Sequence, residues 1–307
     1  MKKLLVLVTT LSLLGAGGRT LQDTPVALVA RVQGTVQVQI GDGGPQPAAV
    51  GTRLSAGDQI LPEAESQAIV VYQTGASRVV TSNTIIQAPS GSTENNLFSR
   101  TVQVLAQAAT SDARSQPNRQ GMIRPVPGAP EIISPRNLIK VLGPRPTFSW
   151  HPAEAIAAYI VQIRSEGSPP VRYEVGSVTS WTLPASEPGL TPGVVYWWTV
   201  GPTGRGRPSR EMKFQVLSNE EHDAVNEQLG ILVGAGLDPA GDGAFLATVV
   251  YREAGLLYDA AGSLEFLEGA GTPLSADAYL LKAEILDALG DLEAAQEAFD
   301  QADRVIR

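Results

Sequence analysis

Leu190-Thr191-Pro192-Gly193-Val194-Val195-Tyr196-Trp197-Trp198-Thr199-Val200 is a turn followed by a strand. Pro-Gly supplies the turn geometry, and the run of β-branched and aromatic residues after it suits a pleated, half-buried surface. Strand alternation sends Tyr196, Trp198 and Val200 to one face and Trp197 to the other. Trp197 on the outer face is either a sugar-stacking platform, an interface anchor, or a ring covered by the linker or a neighbouring domain.

The same period extends to both sides. Pro146–Trp150, Ala158–Ile163 and Ser180–Leu183 are further β-patterned runs. Residues 131–217 resemble a fibronectin type III domain, and the resemblance implies a β sandwich. Leu190-x-Pro192-Gly193-x-x-Tyr196 has the form of that family's tyrosine corner, in which the Tyr hydroxyl ties back to the backbone. Trp150 stands where the second strand of the family carries its core Trp, and Tyr159 where the third carries its aromatic.

Upstream, residues 111–145 are rich in Pro, Gly, Arg and Ser and read as a basic linker. Residues 92–110 fit either a helix, with Leu97, Thr101, Val102, Leu105 and Ala109 on one side, or a strand pair; together, 91–130 is taken as this connecting stretch. Before it lie several short β runs. Val36, Val38 and Ile40 alternate with Gln37 and Gln39, and Gly41-Asp42-Gly43-Gly44 permits a reversal. Gln67–Gln73, Arg78–Thr81 and Thr84–Gln87 follow, with Thr74-Gly75 as a hairpin between the first two. Residues 26–90 therefore predict a small sandwich or open barrel.

This stretch resembles the FecR-type domain of bacterial envelope proteins. The likeness is carried by Ala30–Val36, by Val50-Gly51-Thr52-Arg53-Leu54-Ser55-Ala56-Gly57-Asp58-Gln59-Ile60, by Ser66–Tyr72 and by Thr81–Thr84. Thr74-Gly75 stands where Asp-Gly is usual, and Leu61-Pro62 where a Thr commonly follows the turn. Both departures are at the level of turns. The chain opens with Met1-Lys2-Lys3, an apolar run from Leu4 to Leu14 and a small-residue exit at Ala16-Gly17-Gly18. That order is the pattern of a secretory signal peptide over residues 1–18. It places the mature chain, with the FecR resemblance, in the periplasm, cell envelope or extracellular space of a bacterium.

Downstream the period changes to that of helices. Ser218 and Glu221 form a capping box before a helix ending near Gly236. Two units then recur at an offset of 35: Ala244, Thr248, Tyr251, Gly255, Ala260, Leu264 and Leu267 match Tyr279, Ala283, Leu286, Gly290, Ala295, Phe299 and Ala302. Residues 218–307 resemble tetratricopeptide repeats, whose small residues let two antiparallel helices approach closely. In that family the first helix of each pair lines a concave groove. The resemblance implies a groove formed by Asp242, Phe245, Val249, Arg252 and Glu253, then Asp277, Leu280, Glu284, Asp287 and Ala288. It would be acidic with an apolar floor, suited to a basic or amphipathic peptide; alternatively the short array is a structural cap.

Composition bounds the chemistry. There is no cysteine, so no disulfide or lipobox, and only two histidines, His151 and His222. Residues 219–307 hold 18 acidic and 4 basic side chains, and residues 1–218 hold 13 acidic and 19 basic. The opposite charges could attract each other or separate partners, the simplest reading being two solvated surfaces. A net charge of −8 suits nucleic acid poorly. His151 reads as an exposed turn residue, Asp238 and Asp242 as caps for the next helix, and Gly204-Arg205-Gly206-Arg207 as a hairpin tip. No convergent catalytic, metal or cofactor constellation is legible. The expectation is an exported, non-enzymatic, three-module scaffold or adaptor without a membrane span in the mature chain. Phe245, Val249, Arg252, Asp277, Leu280, Glu284, Asp287 and Trp197 are its candidate contacts. The alternatives are a FecR-type signal sensor and a peptidoglycan- or glycan-binding module.

Overall fold

The computed structural model describes residues 24–90, 96–110, 126–136, 138–153 and 157–306. The signal-peptide reading of 1–18 lies outside them, as does the linker reading over 111–125. The fold is multidomain: β modules at the N-terminus and centre, followed by a helical array.

The first module contains β1 (Ala27–Gln33), β2 (Val36–Gln39), β3 (Gln46–Pro47), β4 (Arg53–Leu54), β5 (Gln59–Pro62), β6 (Gln67–Tyr72), β7 (Ser77–Val80) and β8 (Thr84–Ile85). They form two four-stranded sheets, ordered β4-β1-β6-β7 and β3-β2-β5-β8. Val29, Val36, Val38, Leu54, Ile60, Val70 and Ile86 fill the space between them. Buried Asp58 accepts N–H groups from Gly41 at 2.9 Å and Ser55 at 2.7 Å, so the Gly-Asp turn is a structural staple.

β1 and β6 are apolar on both faces, as their unbroken runs Ala27-Leu28-Val29-Ala30 and Ala68-Ile69-Val70-Val71 allow. Ala27, Val29, Ala68 and Val70 enter the β core, while Leu28, Ala30, Ile69 and Val71 join the helical core. A bulge between Val29 and Arg31 shifts the strand's parity, returning Val32 to the β core and leaving Arg31 on the helical side.

Asn96–Thr110 is a helix, α1, which resolves the open helix-or-strand reading. Leu97, Phe98, Thr101, Val104, Leu105 and Ala108 form its buried stripe. Ala109, expected on that face, is exposed.

The central sandwich comprises β9 (Glu131–Ser134), β10 (Ile139–Val141), β11 (Thr147–His151), β12 (Tyr159–Ser165), β13 (Val171–Gly176), β14 (Ser180–Thr182), β15 (Val195–Pro202) and β16 (Met212–Val216). A five-stranded sheet, β10-β16-β15-β12-β13, faces a three-stranded one, β14-β11-β9. Phe148, Trp150, Tyr159, Trp198 and Phe214 fill the interior, with Phe148 edge-on to Trp198 at 4.7 Å and Trp150 to Tyr159 at 5.5 Å. The Tyr196 hydroxyl accepts the Thr191 N–H at 2.8 Å, closing the corner, and Trp198 donates to the Pro135 carbonyl at 2.7 Å.

The array is α2 (Asn219–Gly234), α3 (Ala244–Ala254), α4 (Leu257–Gly269), α5 (Ala276–Leu289) and α6 (Leu292–Ile306). Ser218 and Glu221 complete the capping box of α2. Gly255 and Gly290 occupy the same repeat position and end α3 and α5 in the left-handed conformation, both at φ 78°. Ala260 and Ala295, buried on α4 and α6, are the small residues that admit the close helix pairs.

Candidate functional site: the covered face of the helical array

The predicted groove residues do share one face, but the chain's own N-terminal half covers it. Helix α1 packs on α3 and α5. Phe245 and Val249 are fully buried, and Leu280 nearly so. The expectation of a groove open to a partner at these positions is therefore corrected. The physical cause is unsatisfied apolar surface: the second faces of β1 and β6 and the stripe of α1 need cover, at about 2 kcal/mol for each large side chain. The face of α3 and α5 that carries Phe245, Val249 and Leu280 supplies it.

The polar positions close the same seam. Arg53 reaches Asp277 at 2.7 Å, and each side chain is 23% exposed. Arg252 pairs with Glu284, bracing α3 against α5. Asp287 is half-buried in the last turn of α5, where its carbonyl accepts the Gly290 N–H at 2.9 Å. Arg31 pairs with Asp242, and Arg100 lies 3.3 Å from Glu253 and 2.6 Å from Gln228. Lys140 on β10 meets Glu221 at 2.5 Å. The basic N-terminal part and acidic C-terminal part thus attract each other, against the simpler expectation of separate solvated surfaces. The Lys140 hydrogen bond and the Ser218 amide together hold the Glu221 carboxyl below its ordinary range.

Backbone joins the seam as well. Val50 donates to the Pro273 carbonyl and accepts from the Ser275 amide, both at 2.8 Å, so the Gly51 turn rests directly on the array. Gly51 has φ +86°, and a Cβ there would stand 3.0 Å from Phe245 Cζ. Ser77 Oγ donates to the Ala235 carbonyl at 2.5 Å. From the sandwich, Arg136 donates to the Leu289 carbonyl at 3.0 Å, and the Tyr258 hydroxyl to the Ile133 carbonyl at 2.5 Å.

Trp197 does point outward from the five-stranded sheet, half-buried. Arg164 lies over its ring at 4.9 Å from the centroid and Lys213 at 5.2 Å. Two cations from its own sheet therefore cover the ring. Asp242 and Asp238 do not cap α3, whose cap residue Gly243 makes no side-chain bond. Asp242 pairs with Arg31, and Asp238 accepts the Ala240 N–H at 3.0 Å. His151 is exposed at the end of β11. Among the described residues no group of three or more His, Cys, Asp or Glu is placed to hold a metal ion.

Sequence reasoning missed a second feature, a cleft of about 680 Å³ between the turn after α2 and the outer face of α4. Tyr251, Tyr258 and Phe266 line it, with Asp238, Pro239, Asp259, Gly262 and Ser263. Burial pushes the Asp259 carboxyl above its ordinary value, and burial together with the Asp259 charge raises Tyr251. The repeat pattern already showed Tyr251 at a helix-packing position. Only the helix arrangement shows that its edge stays open.

No protein-family model matches the chain, and no curated protein matches it. Among solved structures it is similar to a fibronectin type III domain derived from human KIAA0970 protein (20% identity, 30% of this chain, 75% of that chain, TM-score 0.23). It is also similar to chicken CNTN1 FN1-FN3 domains (12% identity, 62% of this chain, 53% of that chain, TM-score 0.23). A third similar structure is titled a cell surface anchoring domain (17% identity, 21% of this chain, 86% of that chain, TM-score 0.19). The central module is fibronectin type III-like, on the strand order and tyrosine corner described above.

Proposed function

We propose that this chain is an exported cell-envelope scaffold or adaptor, acting by protein–protein binding and catalysing no reaction. The observation that carries the reading is the seam itself. The N-terminal β module, the fibronectin-like sandwich and the helical array are joined by a shared apolar core and ion pairs into one body. Such a body holds sheet faces and helix faces at fixed spacing, which is what a scaffold requires. Export is supported by the basic start, apolar run and small-residue exit of residues 1–18. No helix among the described residues is long and apolar enough to cross a membrane.

The glycan-binding alternative loses its main support, because the Trp197 ring already carries Arg164 and Lys213. The FecR-type sensor rests on turn and strand motifs whose central residue, Asp58, is committed to bracing loops.

The test is cell fractionation with in-cell crosslinking of the tagged full chain. Recovery from the envelope fraction with a defined protein in stoichiometric crosslink is the expected result. Retention in the cytoplasm, or sedimentation only with cell-wall sacculi, would refute it.

A further inference from the structure

The face carrying Phe245, Val249 and Leu280 is occupied within the chain, so a partner protein must dock elsewhere. This inference rests on the adaptor reading and specifies its contact. On α4, Asp259, Gly262, Ser263 and Phe266 follow i, i+3, i+4, i+7 spacing and form one stripe. Packing on α3 and α5 engages the other sides of α4. The stripe instead borders the 680 Å³ cleft, a volume in the range of ligand pockets. Above Gly262 nothing lies within 4 Å of where a Cβ would stand, so the helix surface there is open. Phe266 is 49% exposed at the rim.

The lining has a definite chemistry. Two tyrosine rings and a phenylalanine ring supply aromatic surface, and Asp259 supplies a carboxylate. No described Lys or Arg forms an ion pair with Asp259. Asp238 adds a second carboxylate beside the turn. Of the four basic residues in 219–307, Arg252 and Lys282 are already paired, with Glu284 and Glu268. A half-buried carboxylate without a cation, among aromatic rings, is complementary to a planar guanidinium. That group pairs with carboxylate through two N–H bonds and stacks on aromatic faces, which an ammonium does less well.

We propose that this cleft binds an arginine side chain of a partner protein, its guanidinium on Asp259 between the tyrosine rings and an adjoining apolar residue against Phe266. The contact adds a cation to a segment with a surplus of fourteen negative charges, so it is favoured by the field around it as well as by the cleft.

The probe is the peptide acetyl-Leu-Arg-Leu-amide, titrated into the full chain and followed by backbone amide NMR shifts. The neutral isostere with citrulline in place of arginine is the control. Expected are shifts confined to residues 238–240, 251 and 258–266, at least ~5-fold weaker binding of the citrulline peptide, and a similar loss in Asp259→Asn. Gly262→Leu, which fills the cleft from an open helix position, should abolish binding without lowering the unfolding temperature. Equal affinity for both peptides, or unchanged binding in Gly262→Leu, overturns the proposal. The crosslinking experiment separates the two readings. A partner captured equally by parent and Gly262→Leu refutes this cleft and leaves the adaptor intact. Peptide binding without any captured protein refutes the adaptor reading instead.

Discussion

Gly51→Ala should open the seam between the N-terminal module and the array. The turn holds φ at +86°, where a side chain costs about 1–2 kcal/mol. The new Cβ would also stand 2.7 Å from Ser275 Oγ, 3.0 Å from Phe245 Cζ and 3.2 Å from Ala278 Cβ. Ser275 caps α5 through a bond to the Ala278 N–H, and Phe245 is fully buried, so neither yields freely. Overpacking of that kind costs about 1–3 kcal/mol. Together the loss is about 3 kcal/mol, read as a lower urea midpoint with the slope unchanged. Pairing the change with Phe245→Leu separates the two causes. The double variant should lose less than the sum of the singles, because Leu removes the ring edge but leaves the backbone strain. A Gly51→Ala chain within ~0.5 kcal/mol of the parent would refute the claim that this turn is seated on the array.

Further outcomes follow from the same seam and from the sandwich. Arg53→Ala should cost about 1–2 kcal/mol and Asp277→Ala a similar amount, with a double-mutant coupling above ~0.5 kcal/mol; strict additivity would deny the pair. Glu221 contributes stability that is complete above the ordinary carboxylate range and lost as pH falls through its depressed folded value. Glu221→Gln should therefore flatten the acid limb of the stability profile, measured by urea unfolding from about pH 6 to 3. Tyr196→Phe removes the acceptor for the Thr191 N–H and should cost about 1–2 kcal/mol by thermal unfolding, while an unchanged midpoint would mean the corner carries no weight. Deleting 219–307 uncovers Leu28, Ala30, Ile69 and Val71, so the remainder should bind a hydrophobic dye and lose cooperative unfolding. A soluble, cooperative fragment would show that the β module keeps its own closed core.

Much of the architecture was legible because it is local. The alternation at Tyr196, Trp198 and Val200, the capping pair Ser218 and Glu221, and the 35-residue recurrence ending in Gly255 and Gly290 each depend on neighbours a few residues away. Hydrogen bonding and strand or helix period settle such features whatever the rest of the chain does. The double-faced strands β1 and β6 carry unbroken apolar runs, a feature that reading by alternation did not pick out. What would lie on their second face was not legible either, since a run of apolar residues states a need for cover and names no supplier.

That supplier was decided only in three dimensions. Arg31 and Asp242 are 211 residues apart, and Arg53 and Asp277 are 224 apart; no periodicity links such positions. The sequence therefore determined that β modules precede a helical array, the core face of the β15 strand, and a charge imbalance between the two parts of the chain. The tertiary structure decided that the face of α3 and α5 carrying Phe245, Val249 and Leu280 is spent on the chain's own strands and α1. It also decided that a cleft stays open beside Asp259 and Phe266. The physical reason is that apolar burial has no direction of its own, and which surfaces meet depends on the shapes and charges of whole modules.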